Sequence, residues 1–579
     1  MLLPHPLPDH PRLLARAEKW TTLRHQIESD DCSRTIWRTL RHRADAICRE
    51  PPVERTLTGR MLLMVSRQAL ERISVLAMVD RLSGEARYGA RAIDELMSIC
   101  RFSDWNRSHF LDTAEMCLAV SIGFDWLYDE LSSTQRNEIA DALVDKAITP
   151  SLDTGAASNW WLTTDENWAQ VCHAGLSAGA IAIAERAPEL AEAVLSRAVS
   201  AIPRVAASYA PDGAYPEGPM YWSYGTSYHV VLAAALESLT GSAQGVDSYP
   251  GFAESAQYIN SMTAPSGEYF NYADCAARRR LQAQLFWMSD RYGHPEWLSH
   301  DLAMLEDDLE EYRREPSVQY WYYDMVALAL LWRKPGAVET VAQPSFWAGR
   351  GKVPVAVYRW GESNCFLGVK GGAVGLSHSH MDVGSFVFEA SGVRWAVDTG
   401  MQDYADLEAA GVNLWNEKQQ DSGRWQVFRI GAESHNVFRI ENRAQLLFQS
   451  APLYASDESC IVDIGRLYGE PLTTARRCFE LHSAGFSIED SWAARSPVRA
   501  TSQWLTFATV ERNGPSVVLR QNGKTLRLEV SGTAPVSIDI ENIDHPVRWF
   551  DAPNPGLKRV SFRSRDAAAA SMHIRVTAA

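Results

Sequence analysis

The chain reads as an α+β multidomain protein, with an all-α region over residues 1–340 followed by an antiparallel β-sandwich region over residues 341–579, and three observations predict this. Apolar residues recur at helical spacing almost throughout the stretch up to about residue 335. Around Arg333-Lys334-Pro335-Gly336 that period stops, and from about Val353 onward short β-branched and aromatic runs replace it. Asn513-Gly514 and Asn522-Gly523 then separate such runs, and Asn-Gly pairs favour the primed hairpin turns that match strand twist. Helices and strands segregated along the chain exclude a parallel α/β sheet.

In order, the periodicity predicts helices over Met61 to Val79 and near 88–100, 112–130, 134–147, 168–185, 189–209 and 226–240. Short loops between them suggest antiparallel pairs, which a bundle and an α/α toroid satisfy equally. Predicted strands are Val353 to Trp360, Cys365 to Lys370, Ser385 to Val397, Val427 to Ile430 and Val437 to Ile440. The alanine-rich tail from Ala567 to Ala579 carries no pattern.

A net charge of −15 and a pI near 5.5 argue against a nucleic-acid or anionic-membrane surface. Nine scattered cysteines without a CxxC pair fit reduced, buried thiols. The N-terminal stretch lacks a basic n-region and an apolar h-region, and no run reaches the length of a bilayer span. The expected location is therefore the cytoplasm, or the periplasm or exterior if an export signal has been cleaved.

Three constellations carry chemistry. His378-Ser379-His380-Met381-Asp382 places two imidazoles and a carboxylate just ahead of a strand-like run that ends at Asp398. On a strand, His378 and His380 would share a face; in a turn they diverge, one toward a cleft and one toward an interior ligand set. His380, Asp398 and His435 would supply two nitrogens and a carboxylate, a donor set suited to zinc, with hydrogen-bonded structural histidines as the alternative. Asn167-Trp168-Ala169-Gln170-Val171-Cys172-His173 opens an apolar helix. There Asn167 and Gln170, three apart, can turn amide donors to one anion, unless Asn167 simply caps the helix. The run from Pro211 to Gly225 is dense in turn formers and tyrosines, which serve either proton transfer or the packing of an interhelical loop. Aromatics crowd the same loops, Trp160, Trp161, Trp168, Tyr221 and Tyr224 among them, and suit either sugar stacking or the core. The nucleotide, zincin and serine-hydrolase motifs are missing, whereas a glycosidase carboxylate pair would meet only in the fold.

Taken together and in this order, these segments resemble the heparinase II/III-type polysaccharide lyases from about residue 60 to 540. The resemblance is carried by Asn167 to Cys172, by Asp212-Gly213 through Glu217-Gly218-Pro219-Met220-Tyr221, and by His378 to Asp382 with Asp398 and His435. It implies an incomplete α/α toroid followed by antiparallel sheets, with an acidic oligo- or polysaccharide held in a cleft between them. It further implies β-elimination at a uronic acid. Asn167 and Gln170 would neutralise the carboxylate, Tyr221 would protonate the leaving oxygen, and His378 would act as base for one C5 epimer. Tyr224 is the fallback for Tyr221, and Trp168 and His173 join the substrate contacts. His380, Asp398 and His435 would hold a structural divalent ion, zinc first, with manganese or calcium as alternatives. The expected substrates are glycosaminoglycans (heparan sulfate, chondroitin or hyaluronan) and, second, alginate. The competing functions are a uronyl C5-epimerase on the same fold and a non-catalytic carbohydrate-binding protein.

Overall fold

The structure is a computed structural model that describes residues 2–315, 324–336, 338 and 341–578. It divides into two compact units: Met1–Ala207, Ser223–Ala256 and Arg280–Val341 form one, and Ser208–Trp222, Gln257–Arg279 and Ala342–Ala579 form the other.

The first unit is helical and is built as an inner and an outer layer. Every residue of the helix Phe110–Trp126 is buried, and in Asn167–Ala182 only Trp168 keeps exposed surface. Such helices, buried all round, must be enclosed by others. Ala86–Cys100 and Pro188–Ala206 do so with one apolar face each, burying for example Tyr88, Ala92, Leu96 and Ile99 while exposing Arg87 and Asp94. Packing runs from Leu63–Ser83 to Phe110–Trp126, on to Asn167–Ala182 and then to Pro188–Ala206, the paired inner and outer helices of an incomplete α/α toroid. Small residues permit the inner crossings. A Cβ on Gly175 would stand 2.1 Å from the Ala114 carbonyl oxygen, so the two backbones touch there. Buried ion pairs bridge the layers, with Arg43 Nε 2.7 Å from Glu71 and Arg72 Nη1 3.0 Å from Glu95. Among the described residues, no helix is long and apolar enough to cross a membrane.

The second unit is antiparallel β. Phe346–Gly349, Val355–Trp360, Cys365–Lys370, Phe386–Ala390 and Val393–Ala396 form a five-stranded sheet in chain order. An eight-stranded sheet and a four-stranded sheet complete the core, where the ring of Phe386 meets Trp504 at 5.3 Å and Phe479 at 5.5 Å. Asn522 and Gly523, both at positive φ, make the expected two-residue turn between Ser516–Gln521 and Lys524–Gly532.

Four details differ from the sequence expectation. The run from Ser385 to Val397 is a hairpin, folded at Ser391 and Gly392, which both take positive φ. Val427 to Ile430 is a turn rather than a strand: Val427, Phe428 and Ile430 are buried, but their amides join no ladder, Ile430 N–H donating to the Val427 carbonyl and Phe428 N–H to Asp551 Oδ1. The alanine-rich tail is the strand Ala567–Ala578, set between Gly485–Val498 and Lys524–Gly532. The helix expected from 226 begins at Pro219, whose fixed φ suits a first helical position. Tyr221 and Tyr224 are therefore helical and buried, not displayed on a loop.

Two early segments complete the β unit. The Tyr272 hydroxyl donates to the Tyr215 carbonyl at 2.8 Å, and a Cβ on Gly218 (φ +90°) would lie 2.7 Å from the Tyr272 carbonyl oxygen. Only glycine accepts both that backbone angle and that approach. Phe270 in turn fills the space left by Gly368 on the central strand.

Candidate active site and metal centre

The loop between strands Cys365–Lys370 and Phe386–Ala390 carries both histidines of the first constellation. Its two ends are tied together by hydrogen bonds from Gly384 N–H to the Lys370 carbonyl and from Lys370 N–H to the Ser385 carbonyl. Inside it, Lys370 and Asp382 make a buried ion pair, and Met381 N–H donates to the Ile430 carbonyl at 2.9 Å. Below it, Arg477 pairs with Asp490 at 2.7 Å and donates to the carbonyls of Gly384 and Asn436, bracing the loops of His380 and His435 from one cation. His378 sits at φ +58°, a left-handed conformation unusual for a residue with a Cβ, and this turn separates the two imidazoles.

His378 stacks on Tyr221, with ring centroids 3.6 Å apart and planes 16° from parallel. The Tyr221 hydroxyl lies 3.1 Å from that of Tyr404, which donates to Asp274 Oδ2 at 2.6 Å. Nδ1 of His378 is 3.2 Å from both Asp274 Oδ2 and the Tyr404 oxygen, so it carries the proton. Nε2 is left as the basic nitrogen, with Glu217 Oε2 at 3.7 Å. Burial, with Asp274 adding to it, raises the pKa of Tyr221 well above that of a free phenol and holds it protonated. Burial also raises Tyr404, again reinforced by Asp274. For Asp274 itself burial would raise the pKa, but Arg424, His378 and His380 outweigh it and keep the carboxyl well below the usual range.

His380 turns inward. Its Nε2 donates to Asp274 Oδ1 at 2.9 Å, and its Nδ1 is buried without a hydrogen-bond partner. His435 has Nδ1 2.8 Å from Asp398 Oδ2, and its Nε2 is likewise buried and unpartnered. One ligand atom from each of His380, Asp398 and His435 falls within 4.8 Å of the others. Two orphaned imidazole nitrogens and a carboxylate at that spacing fit a divalent cation. Burial lowers the pKa of His380 and favours the neutral ring a metal needs. Burial works the same way on His435, but Asp398 prevails and raises its pKa, so a cation at Nε2 would displace a proton.

The β unit thus brings together Tyr221, His378, His380, Asp398 and His435. The other five residues singled out from the sequence belong to the helical unit. Asn167 is the first residue of its helix, with Glu166 at the N-cap, so it is not the cap itself. Trp168 meets His109 edge-on at 4.8 Å and Trp160 at 4.7 Å. Gln170 is buried with Nε2 3.2 Å from His229 Nδ1, and His229 Nε2 lies 2.6 Å from the Val246 carbonyl, which fixes its tautomer. His173 is buried edge-on to Trp161, with neither ring nitrogen hydrogen-bonded and its pKa brought down to about 3 by burial and by Arg197. Tyr224 donates to Glu115, which pairs with Arg67.

Sequence reasoning missed Asp274, Tyr404, Arg424 and the exposed Trp415, whose ring is 5.0 Å from that of Tyr404. None stands in a recognisable motif. Asp274 lies 104 positions from His378, and only the fold makes them neighbours.

Residues 355–553 match the family model described as heparinase II/III-like, C-terminal. No curated protein matches the chain in sequence. Among solved structures, heparinase III aligns with a TM-score of 0.57 at 12% identity, over 88% of this chain and 76% of that chain. A mutant of the heparan sulfate lyase HepC from Pedobacter heparinus aligns with a TM-score of 0.54 at 13% identity, over 88% and 76%. The chondroitin AC lyase of Streptomyces coelicolor A3, in complex with chondroitin sulphate, gives 0.52 at 12% identity, over 97% and 83%. What is shared at such identities is the fold, helices followed by antiparallel sheets.

Proposed function

We propose, from the match of residues 355–553 to the heparinase II/III-like, C-terminal family model, that the protein is a polysaccharide lyase that cleaves uronate-containing glycans by β-elimination. One observation carries the reading: a phenol held protonated lies stacked on an imidazole whose Nε2 is free to accept a proton. Nε2 of His378 takes the proton from C5 of the uronate, the C4–C5 double bond forms, and the bond from C4 to the glycosidic oxygen breaks. Tyr221 protonates the departing oxygen. The sequence resemblance assigns the substrate carboxylate to Asn167 and Gln170, three apart on one helix, whose amides would stabilise the charge that develops there. Trp415, exposed beside Tyr404, and Trp168 offer flat faces to sugar rings.

The cation at His380, Asp398 and His435 is assigned as zinc, which would act as a fixed clamp on the wall that carries His378 rather than as a Lewis acid. The substrates are glycosaminoglycans, the class named for the aligned heparan sulfate and chondroitin lyases, with alginate second.

The pure protein incubated with heparan sulfate, chondroitin, hyaluronan and alginate should produce ultraviolet absorbance from the conjugated C4–C5 double bond on at least one of them. No absorbance on any uronate polymer or oligomer would refute the lyase reading. Solvent deuterium appearing at C5 without cleavage would replace it with an epimerase.

A further inference from the structure

We propose that Asp274 is a shared positioning residue, one carboxylate edge orienting His378 and the other orienting His380, so that a single buried side chain links the proton-transfer pair to the metal cluster. The His378 half rests on the lyase reading above; the His380 half does not.

The geometry is specific to a carboxylate. Oδ2 accepts from the Tyr404 hydroxyl at 2.6 Å, from Arg424 Nη2 at 2.7 Å and from His378 Nδ1 at 3.2 Å. Oδ1 accepts from His380 Nε2 at 2.9 Å. Four donors converge on its two oxygens, three on Oδ2 and one on Oδ1, a load that only an acceptor-only carboxylate takes. The backbone takes part too, since Asp274 N–H donates to the His378 carbonyl at 3.0 Å, next to the left-handed turn. Arg424 completes the arrangement. Its Nη2 also donates to the Ser379 carbonyl at 3.0 Å, between the two histidines, and so fixes Asp274 against the loop it orients.

Each imidazole is left with one tautomer. His378 keeps its proton on Nδ1 and turns a lone pair out at Nε2. His380 keeps its proton on Nε2 and turns a lone pair in at Nδ1, the atom that is buried and unpartnered. This is how an outer carboxylate commonly fixes a ligating histidine, and the same logic orients a catalytic base. Here one carboxylate serves both.

Asp274→Asn breaks the arrangement whichever way the amide settles. With its oxygen toward Arg424, its NH2 faces His380 Nε2 and drives that proton to Nδ1, where it blocks the metal. With its oxygen toward His380, its NH2 confronts the donors of Arg424, Tyr404 and His378.

The test uses the full chain. Zinc affinity is measured by competition with a chromogenic chelator, kcat and KM on whichever uronate polymer the wild type cleaves, and folding by circular dichroism. Asp274→Asn is expected to weaken zinc ~10–100-fold and lower kcat by a similar factor, the cost usual for an outer-shell partner. Because Asp274 does not face substrate, KM should move by less than ~3-fold. The substitution strands Arg424 as a buried unpaired charge, so Asp274→Asn/Arg424→Met is made alongside it; the double variant, relieved of that charge, should fold and still show both losses. A folded variant that keeps wild-type zinc affinity overturns the proposal, as does one that loses zinc but keeps kcat, or a wild type that binds no zinc. If the wild type cleaves no uronate, the lyase reading falls on its own, and the zinc measurement still decides the His380 half.

Discussion

Replacing Tyr221 with phenylalanine should nearly abolish turnover while leaving the protein folded, and the structure sets the size of both effects. Phenylalanine keeps the ring that stacks on His378 at 3.6 Å and removes only the hydroxyl. That hydroxyl meets Tyr404 at 3.1 Å, and Tyr404 retains its bonds to Asp274 and His378 without it. The stability loss is then one neutral hydrogen bond, about 1 kcal/mol. The chemical loss is the whole of general-acid assistance to a leaving alkoxide, ~10²–10⁴-fold in kcat, or about 3–5 kcal/mol of barrier. The assay is the initial rate of absorbance from the unsaturated product, with melting followed in parallel. A substrate with a nitrophenol leaving group at C4, which departs without needing a proton, should recover most of the rate. Tyr224→Phe is the contrast: it removes a hydroxyl that donates to the buried Glu115, so it should cost ~1.5–3 kcal/mol of stability and little kcat. Wild-type kcat in Tyr221→Phe, or a larger kcat loss in Tyr224→Phe, would refute the assignment of the acid.

Three further outcomes are expected. His435→Ala should weaken zinc binding by ~100-fold or more, since it removes a ligand and leaves Asp398 without its imidazole; zinc retained by the variant after dialysis would return the cluster to a structural role. Gly175→Ala should destabilise the helical unit by ~1–3 kcal/mol, because its Cβ meets a backbone carbonyl at 2.1 Å that no rotamer change relieves; an unchanged denaturant midpoint would contradict the close crossing. His173 has its pKa depressed from 6.5 to about 3 on folding, so its contribution is complete above pH 6.5. Below that the unfolded chain binds a proton the folded one refuses, and stability falls by about 1.4 kcal/mol per pH unit toward pH 3. His173→Phe should lose that slope, by one proton, in melts recorded between pH 7 and 5.

Much of this was legible in the sequence because it is periodic or local. The inner helices announce themselves by apolar residues recurring at helical spacing, and Asn522-Gly523 specifies its own turn. What was hidden depends on partners far along the chain. Ala567–Ala578 has poor intrinsic preference for a strand, and two neighbours in the sheet override it. Val427 to Ile430 has good preference and no strand to pair with, so its burial imitated a strand. His380 and His435 could be suspected as ligands from residue type. The carboxylate that orders His378 and His380 could not, because an isolated aspartate after Asn271-Tyr272-Ala273 looks like any turn acid. The run from Pro211 to Gly225 reads as a loop because of its turn formers, and the early helix start at Pro219 is what places Tyr221 on a buried helical turn.

The β unit draws on Ser208–Trp222 and Gln257–Arg279 as well as on the C-terminal stretch, and this imposes an order of events on the ribosome. Tyr221 and Asp274 are synthesised long before His435, roughly 200 residues ahead in the case of Tyr221, which at about 5–20 residues per second is ~10–40 s. Asp274 waits 104 residues for His378 and 150 for Arg424, ~5–30 s at the same rate, and until then the ring of Phe270 also lacks the sheet that will cover it. A nascent chain paused in this window would expose those groups to chaperones. A gene fragment starting at residue 355 would carry His378 and His380 without Tyr221, on which His378 stacks, and without Asp274, which accepts from both imidazoles.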